Sequence, residues 1–86
     1  MRTTPEPDPA TRRGRILDFI RSQGPLGATD TEIAQSLGLN PKKVVKLRLK
    51  LWNQEFIGTS GQPRPRRAIA WMALAADFYE SLKSAP

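Results

Sequence analysis

The sequence predicts a mainly α-helical fold with a small β-hairpin, and two patterns support this prediction. The first lies between residues 29 and 54, where a short amphipathic segment, a glycine turn and a longer basic amphipathic segment follow one another. The second lies in residues 56–74, where two apolar runs flank a loop rich in glycine, proline and arginine. Apolar residues recurring at helical spacing indicate helices, and apolar runs around a turn-rich loop indicate a hairpin.

Length and composition exclude several classes of function. A chain of 86 residues is enough for one domain. It contains neither cysteine nor histidine, which excludes disulfides, thiolate or imidazole metal sites, and catalysis by those side chains. We therefore expect no cofactor and no enzymatic activity. The lack of cysteine fits a reducing cytoplasm, and no apolar run is long enough to span a bilayer, so no membrane partner is expected.

Three parts of the chain differ in composition. Residues 1–10 contain three prolines and almost no apolar side chain, which predicts a disordered arm. Residues 11–74 should form the folded domain, and residues 75–86 a further helix and a tail. Within the domain, a first helix is expected from about Thr11 to Ser22, because Gly24 and Pro25 end the helical pattern. Leu26 is then expected to enter a short strand or an extended link toward the hairpin.

The second helix has start and stop signals at both of its ends. Thr29 and Glu32 are spaced as a capping box, in which each side chain binds the backbone N–H of the other residue. Gly38 suits the left-handed position just after a helix. Asn40 is a favourable N-cap and Pro41 a favourable first residue for the next helix. The two helices are thus separated by a turn of about three residues, which is typical of a helix-turn-helix motif.

The third helix should span roughly Pro41 to Gln54 and carries two apolar stripes. The first stripe is Val44, Leu47 and Leu51, and we assign it to packing on the first two helices. The second is Val45, Leu49, Trp52 and Phe56, which could pack under the hairpin, pack on the C-terminal helix or mediate self-association. For Trp52 and Phe56 we expect burial within the domain.

Positive charge is concentrated in one segment. Residues 40–67 carry eight lysines and arginines against the single acid Glu55, a net charge of +7, whereas the rest of the chain sums to −1. A one-sided basic segment is typical of a protein that binds a polyanion. The alternative is a basic face that serves only solubility.

The outward face of the third helix depends on which stripe is buried. With the first stripe inward, this face is centred on Lys42, Lys46, Leu49 and Asn53 and flanked by Lys43, Val45 and Lys50. With the second stripe inward, it shifts to Lys43, Lys46 and Lys50, so Lys46 is outward in both registers. A lysine can donate to guanine acceptors or to phosphate, and Val45 can contact a thymine methyl group.

The hairpin should consist of a short strand at residues 56–59, a loop at residues 60–66 and a return strand from Arg67 to Leu74. We expect the prolines of the loop to stiffen it and to hold Arg64 and Arg66 outward. Arginines in such a loop suit a narrow minor groove or flanking phosphates, although an ordinary charged hairpin tip is the alternative. The residues predicted to contact DNA are Lys42, Lys43, Val45, Lys46, Lys50, Asn53, Arg64, Arg66 and Arg67.

These features resemble the winged helix-turn-helix superfamily, in the broad sense that includes the multiple-antibiotic-resistance repressor class and small actinobacterial and phage DNA-binding proteins. The similar parts are Thr29–Leu39, the first stripe with Phe56 and Ile57, and the return strand up to Trp71. The resemblance implies a three-helix core with a two-stranded wing, and a transcriptional regulator that binds specific sequences of double-stranded DNA. The family usually has glycine just after its third helix, where this chain has Glu55. Ligand-responsive members are longer, so no small-molecule ligand is expected.

Two alternative functions stay open. Winged helices that bind left-handed nucleic acid also combine a Pro-Lys-Lys opening of the third helix with a proline-bearing wing and a tryptophan. The corresponding residues of this chain are Pro41-Lys42-Lys43, Pro63, Pro65 and Trp71. That class needs an asparagine and a tyrosine on its reading face, where this chain has Val45 and Leu49, or Lys46 and Lys50 in the other register. The other alternative is a protein–protein interaction module, which an exposed second stripe would favour.

A last helix is expected from Ala75 to Lys83, with Phe78, Tyr79 and Leu82 on its apolar side. Helices at this position either build a homodimer interface or pack back on their own domain, and the sequence leaves both possibilities open.

Overall fold

The computed structural model describes residues 5–74, in which three helices pack against a three-stranded antiparallel sheet. The helices are α1 (Arg12–Ser22), α2 (Asp30–Leu37) and α3 (Pro41–Asn53), and the strands are β1 (Ala28–Thr29), β2 (Ile57–Thr59) and β3 (Ala70–Ala73). The predicted fold class is confirmed. The helix expected at residues 75–83, and the dimer interface proposed for it, lie outside the described residues. Within residues 5–74 the longest helix has 13 residues, too few to cross a membrane.

The ends of α2 are formed by the signals that the sequence predicted. Thr29 Oγ1 accepts the backbone N–H of Glu32 at 3.2 Å, and the Thr29 N–H donates to Glu32 Oε1 at 2.9 Å. Gly38 takes the left-handed conformation with φ 64°, and Asn40 Oδ1 then accepts the N–H of Lys42 at 2.9 Å to begin α3. These contacts are local, so the sequence motif alone was enough to locate the turn.

The end of α3 lies within one residue of the predicted position, although the family glycine is missing. Glu55 adopts the left-handed conformation itself, with φ 66°. The N–H of Phe56 then bonds to the carbonyl of Leu51 at 3.0 Å, which turns the chain into β2. Glu55 therefore takes the backbone conformation that glycine adopts more readily.

The first stripe of α3 faces the core, as predicted. Val44 and Leu51 are fully buried, and Leu47 packs against them with part of its surface exposed. The second stripe divides between core and surface. Phe56 is 1% exposed, which confirms its predicted burial, whereas Trp52 is 47% exposed, so the prediction of its burial is wrong.

The sheet has the order β1-β3-β2, with Trp71 of the central strand opposite both Ala28 and Thr59. Leu26 lies outside the sheet, in a short 3-10 turn, and is 63% exposed. The return strand begins at Ala70 rather than Arg67, because residues 65–67 form a tight turn with left-handed backbone at Arg66 and Arg67 instead of pairing. The wing loop is accordingly longer than predicted.

Residues 5–10, predicted as part of a disordered arm, instead contact α1. Pro7 is buried, and the carbonyl of Asp8 accepts hydrogen bonds from the N–H and the hydroxyl of Thr11. Glu6 forms an ion pair with Arg21 near the other end of α1. Gly14 permits this approach, because a Cβ there would lie 2.0 Å from the Asp8 carbonyl oxygen.

Arg64 fastens the wing loop to α2 and does not point outward, so its predicted orientation is wrong. Its Nη1 donates to Glu32 Oε2 at 2.8 Å, and its Nη2 donates to the carbonyls of Leu26 and Gly27 at 3.0 and 2.9 Å. The side chain is 20% exposed. The proline-containing loop thus places this guanidinium between the first turn of α2, which supplies one carboxylate oxygen, and the segment before β1, which supplies two carbonyl oxygens.

We expect Arg64→Ala to lower the free energy of unfolding by about 1–2 kcal/mol, because it removes a charged hydrogen-bond donor from three acceptors. Arg64→Lys should recover only part of the loss, since an ammonium group lacks the forked geometry of a guanidinium. The measurement is urea unfolding followed by tryptophan fluorescence. Arg66→Ala, an exposed position in the same loop, is the matched control and should change stability by no more than about 0.5 kcal/mol. Equal effects of the two alanine substitutions would contradict this role of Arg64.

Candidate nucleic-acid interface

The open face of α3 has a basic side and an apolar side. Lys43, Lys46 and Lys50 are exposed along the side next to the start of α1. Lys42 and Asn53 are exposed between the two sides, and Lys46 is outward as both registers predicted. The face follows from the burial of Val44 and Leu51, because residues on the opposite surface of the helix must then meet solvent.

The apolar side consists of the exposed part of the second stripe. Val45 is 36% exposed, Leu49 is 40% exposed and Trp52 is 47% exposed. The Trp52 ring packs on the buried Trp71 of β3, with ring centroids 5.1 Å apart and planes tilted by 57°. This contact holds part of the Trp52 ring against the domain and leaves the rest of the ring in solvent.

Arg48 belongs to the basic segment but binds within the domain. Its Nε and Nη2 donate to the two carboxylate oxygens of Asp30 at 2.9 and 2.7 Å, and the Arg48 side chain is only 12% exposed. Its guanidinium carbon also lies 4.3 Å from the centroid of the Trp71 ring. Together with the ion pair of Arg64 and Glu32, this means that two of the eight basic residues at positions 40–67 have carboxylate partners in the domain.

Arg66 and Arg67 form the exposed basic tip of the wing. Both adopt left-handed backbone conformations, with φ 58° and 57°. Neither forms an ion pair within residues 5–74. Arg67 also borders a hollow of about 360 Å³ that includes Thr31 on the first turn of α2 and Ile69 on the wing. The wing tip and α2 therefore lie on the same side of α3.

The structure also brings the start of α1 next to the basic side of α3. Arg12 and Arg13 line a groove of about 560 Å³ together with Lys43, Lys46 and Lys50. From the sequence, Arg12 and Arg13 are expected to face solvent, with phosphate contact as the less favoured alternative, and they are not among the predicted DNA-contacting residues. Their charge was visible in the sequence, but their distance from α3 depends on how α1 packs, which no local pattern reveals.

No protein-family model and no curated protein matches this sequence. Two solved structures are similar in fold. The crystal structure of the S. aureus MepR–DNA complex matches with a TM-score of 0.67 and 19% identity, over 86% of this chain and 62% of that one. The structure of Lactococcus lactis ZitR matches with a TM-score of 0.64 and 25% identity, over 94% of this chain and 54% of that one. This chain thus spans less than two thirds of either protein. The fold that it shares with them is the winged helix-turn-helix.

Proposed function

We propose that this protein is a transcriptional regulator that binds specific sequences of double-stranded DNA, with α3 in the major groove and the wing tip on the flanking minor groove or phosphates. The observation that carries the proposal is the basic open face of α3, on which Lys42, Lys43, Lys46 and Lys50 are all exposed. The fold likeness to a protein solved in complex with DNA supports it. Action in the cytoplasm, without a cofactor or a small-molecule ligand, remains part of the proposal.

The diameter of an α-helix agrees with the width of the DNA major groove. An α-helix with its side chains is about 10–12 Å across, and the major groove of B-DNA is about 12 Å wide. Lys42, Lys46 and Asn53 supply hydrogen-bond donors on the face that would enter the groove. Val45 and Leu49, exposed beside them, supply apolar surface for thymine methyl groups. The face can therefore read both hydrogen-bonding and apolar features of base pairs.

The three arginines of the wing loop have two different roles. Arg66 and Arg67 are exposed and can reach phosphates or a minor groove. Arg64 is occupied by Glu32 and two backbone carbonyls, so we assign it to holding the loop in place. This assignment replaces the direct DNA contact expected for Arg64 from the sequence.

Lys46→Ala should weaken binding to a duplex site selected on the purified protein. If Lys46 contacts a base edge, the loss should be about 1–3 kcal/mol on the selected site and smaller on random duplex; if it contacts phosphate, both should weaken alike. Fluorescence anisotropy with labelled duplexes measures both affinities. Arg21→Ala is the control, since this exposed arginine lies near the other end of α1 and pairs with Glu6. Circular dichroism verifies that each variant is folded.

The Arg66→Ala, Arg67→Ala double variant should bind all duplexes more weakly, and by the same factor. Its slope of log affinity against log salt should be smaller than that of the parent by up to about 2, one unit for each phosphate that is no longer bound. For the parent protein, log affinity should fall linearly with log salt concentration. Each neutralised phosphate should contribute about 0.9 to the steepness of this slope. Duplex titrations at several salt concentrations measure both. If folded variants at Lys46, Arg66 and Arg67 all bind like the parent, the DNA surface lies elsewhere.

A second candidate function is favoured by the exposed apolar side of α3. Val45, Leu49 and Trp52 form one contiguous stripe, which would suit an interface with another protein. The winged helix would then act as a protein–protein interaction module.

Leu49→Gln distinguishes the two functions. If α3 reads DNA, this variant should lose affinity for the selected site and keep most of its affinity for random duplex, because an apolar contact to a base carries sequence information. Leu26→Gln, which alters an exposed leucine before β1, should leave both affinities unchanged. Duplex binding that is unaffected by Leu49→Gln and by Trp52→Gln would favour the protein-interaction function.

A further inference from the structure

The groove between α1 and α3 collects five cations from two helices. Arg12 and Arg13 come from the first turn of α1, and Lys43, Lys46 and Lys50 come from successive turns of α3. Thr11 and Leu47 complete its lining, so no acidic side chain borders it. Within residues 5–74 none of these five cations forms an ion pair, in contrast to Arg21, Arg48 and Arg64. The groove thus concentrates positive charge that the domain itself does not neutralise.

The placement of these cations is unfavourable for the helices that carry them. The N-terminal end of a helix carries a partial positive charge, so acidic residues stabilise it and basic residues destabilise it. The first turn of α2 has Asp30 and Glu32, whereas the first turns of α1 and α3 have no acid and carry Arg12, Arg13, Lys42 and Lys43. A bound anion would offset this repulsion, because both helix ends and the side chains attract it.

The geometry of a helix in the major groove identifies the anion. Such a helix lies between the two phosphate strands that border the groove. The wing tip and α2 lie on one side of α3, and the cationic groove lies on its basic side, next to α1. The row from Lys43 to Lys50 rises about 10 Å along the helix, so its lysines can reach more than one phosphate of a bordering strand.

We propose that the groove between the start of α1 and the basic side of α3 binds the phosphates of one DNA strand, and that Arg12 and Arg13 are DNA-contacting residues. This inference rests on the proposed function. It adds α1 to the DNA interface. One DNA strand then contacts α1 and the lysines of α3, and the other strand contacts α2 and the wing.

The test compares two double variants that remove the same charge from the same helix. Arg12→Gln, Arg13→Gln should bind duplex DNA about tenfold more weakly at low salt, with a salt slope reduced by about 0.9 for each phosphate that is no longer bound. Arg15→Gln, Arg21→Gln is the matched control and should bind like the parent, since neither side chain lines the groove. The melting temperature of the Arg12, Arg13 variant without DNA should be equal to or above that of the parent, because it removes repulsion at a helix end.

The outcomes separate this inference from the proposed function. A parent protein that binds no duplex DNA at low salt overturns both. A parent that binds, with an Arg12, Arg13 variant of equal affinity and slope, overturns only the inference. Equal losses in the two double variants also overturn it, because net charge and not the groove would then explain the effect.

A second measurement does not depend on the folding of the double variant. The chain has no cysteine, so a single cysteine can carry a DNA-cleaving iron chelate. A chelate on Arg13→Cys should cut one strand at the edge of the major groove, and a chelate on the exposed Ser22→Cys, at the far end of α1, should cut at background level. Cleavage at background level from position 13, or equal cleavage from both positions, overturns the proposal.

Discussion

The first turn of α2 holds the elements of this domain in their relative positions. Thr29 belongs to β1 and also caps α2, so the sheet and the helix share one residue. Glu32 uses one carboxylate oxygen for the N–H of Thr29 and the other for Arg64, which joins the helix cap to the wing loop. Asp30 binds Arg48 of α3 with both of its oxygens. Two carboxylates on one helical turn therefore hold α3 and the wing relative to the sheet.

The sequence predicted the parts of the fold that depend on near neighbours. The cap of α2, the left-handed Gly38 and the start of α3 at Asn40 depend on contacts within a few residues, and all are present in the structure. The wing depends on distant contacts. Arg64 binds a carboxylate 32 positions earlier in the chain, and no local pattern of glycine and proline could reveal that partner. The length of β3 was overestimated for the same reason, because hydrophobicity marks a strand but not the residue at which pairing stops.

The sequence predicted where the candidate site lies but not which residues belong to it. Apolar periodicity gave two possible inward stripes for α3, and Lys46 was predicted to be exposed because it faces outward with either of them. Composition, however, counts every cation alike, and tertiary packing decides which of them have a partner. Arg48 has a carboxylate in the domain, whereas Arg12, far away in the sequence, lines the groove beside α3. The basic segment of the sequence and the basic surface of the structure are therefore overlapping but different sets of residues.

The two sides of α3 separate two physical contributions to the proposed DNA binding. Contacts between cations and phosphates provide affinity that depends on salt and not on sequence, and contacts with base edges provide specificity. On this helix Lys43 and Lys50 lie on the basic side, and Val45 and Trp52 lie on the side that faces the wing. Because the cation of Arg48 is already bound to Asp30, the apolar side adds little charge of its own. Substitutions on the two sides of one helix should therefore change different quantities, the salt dependence on one side and the discrimination between sequences on the other.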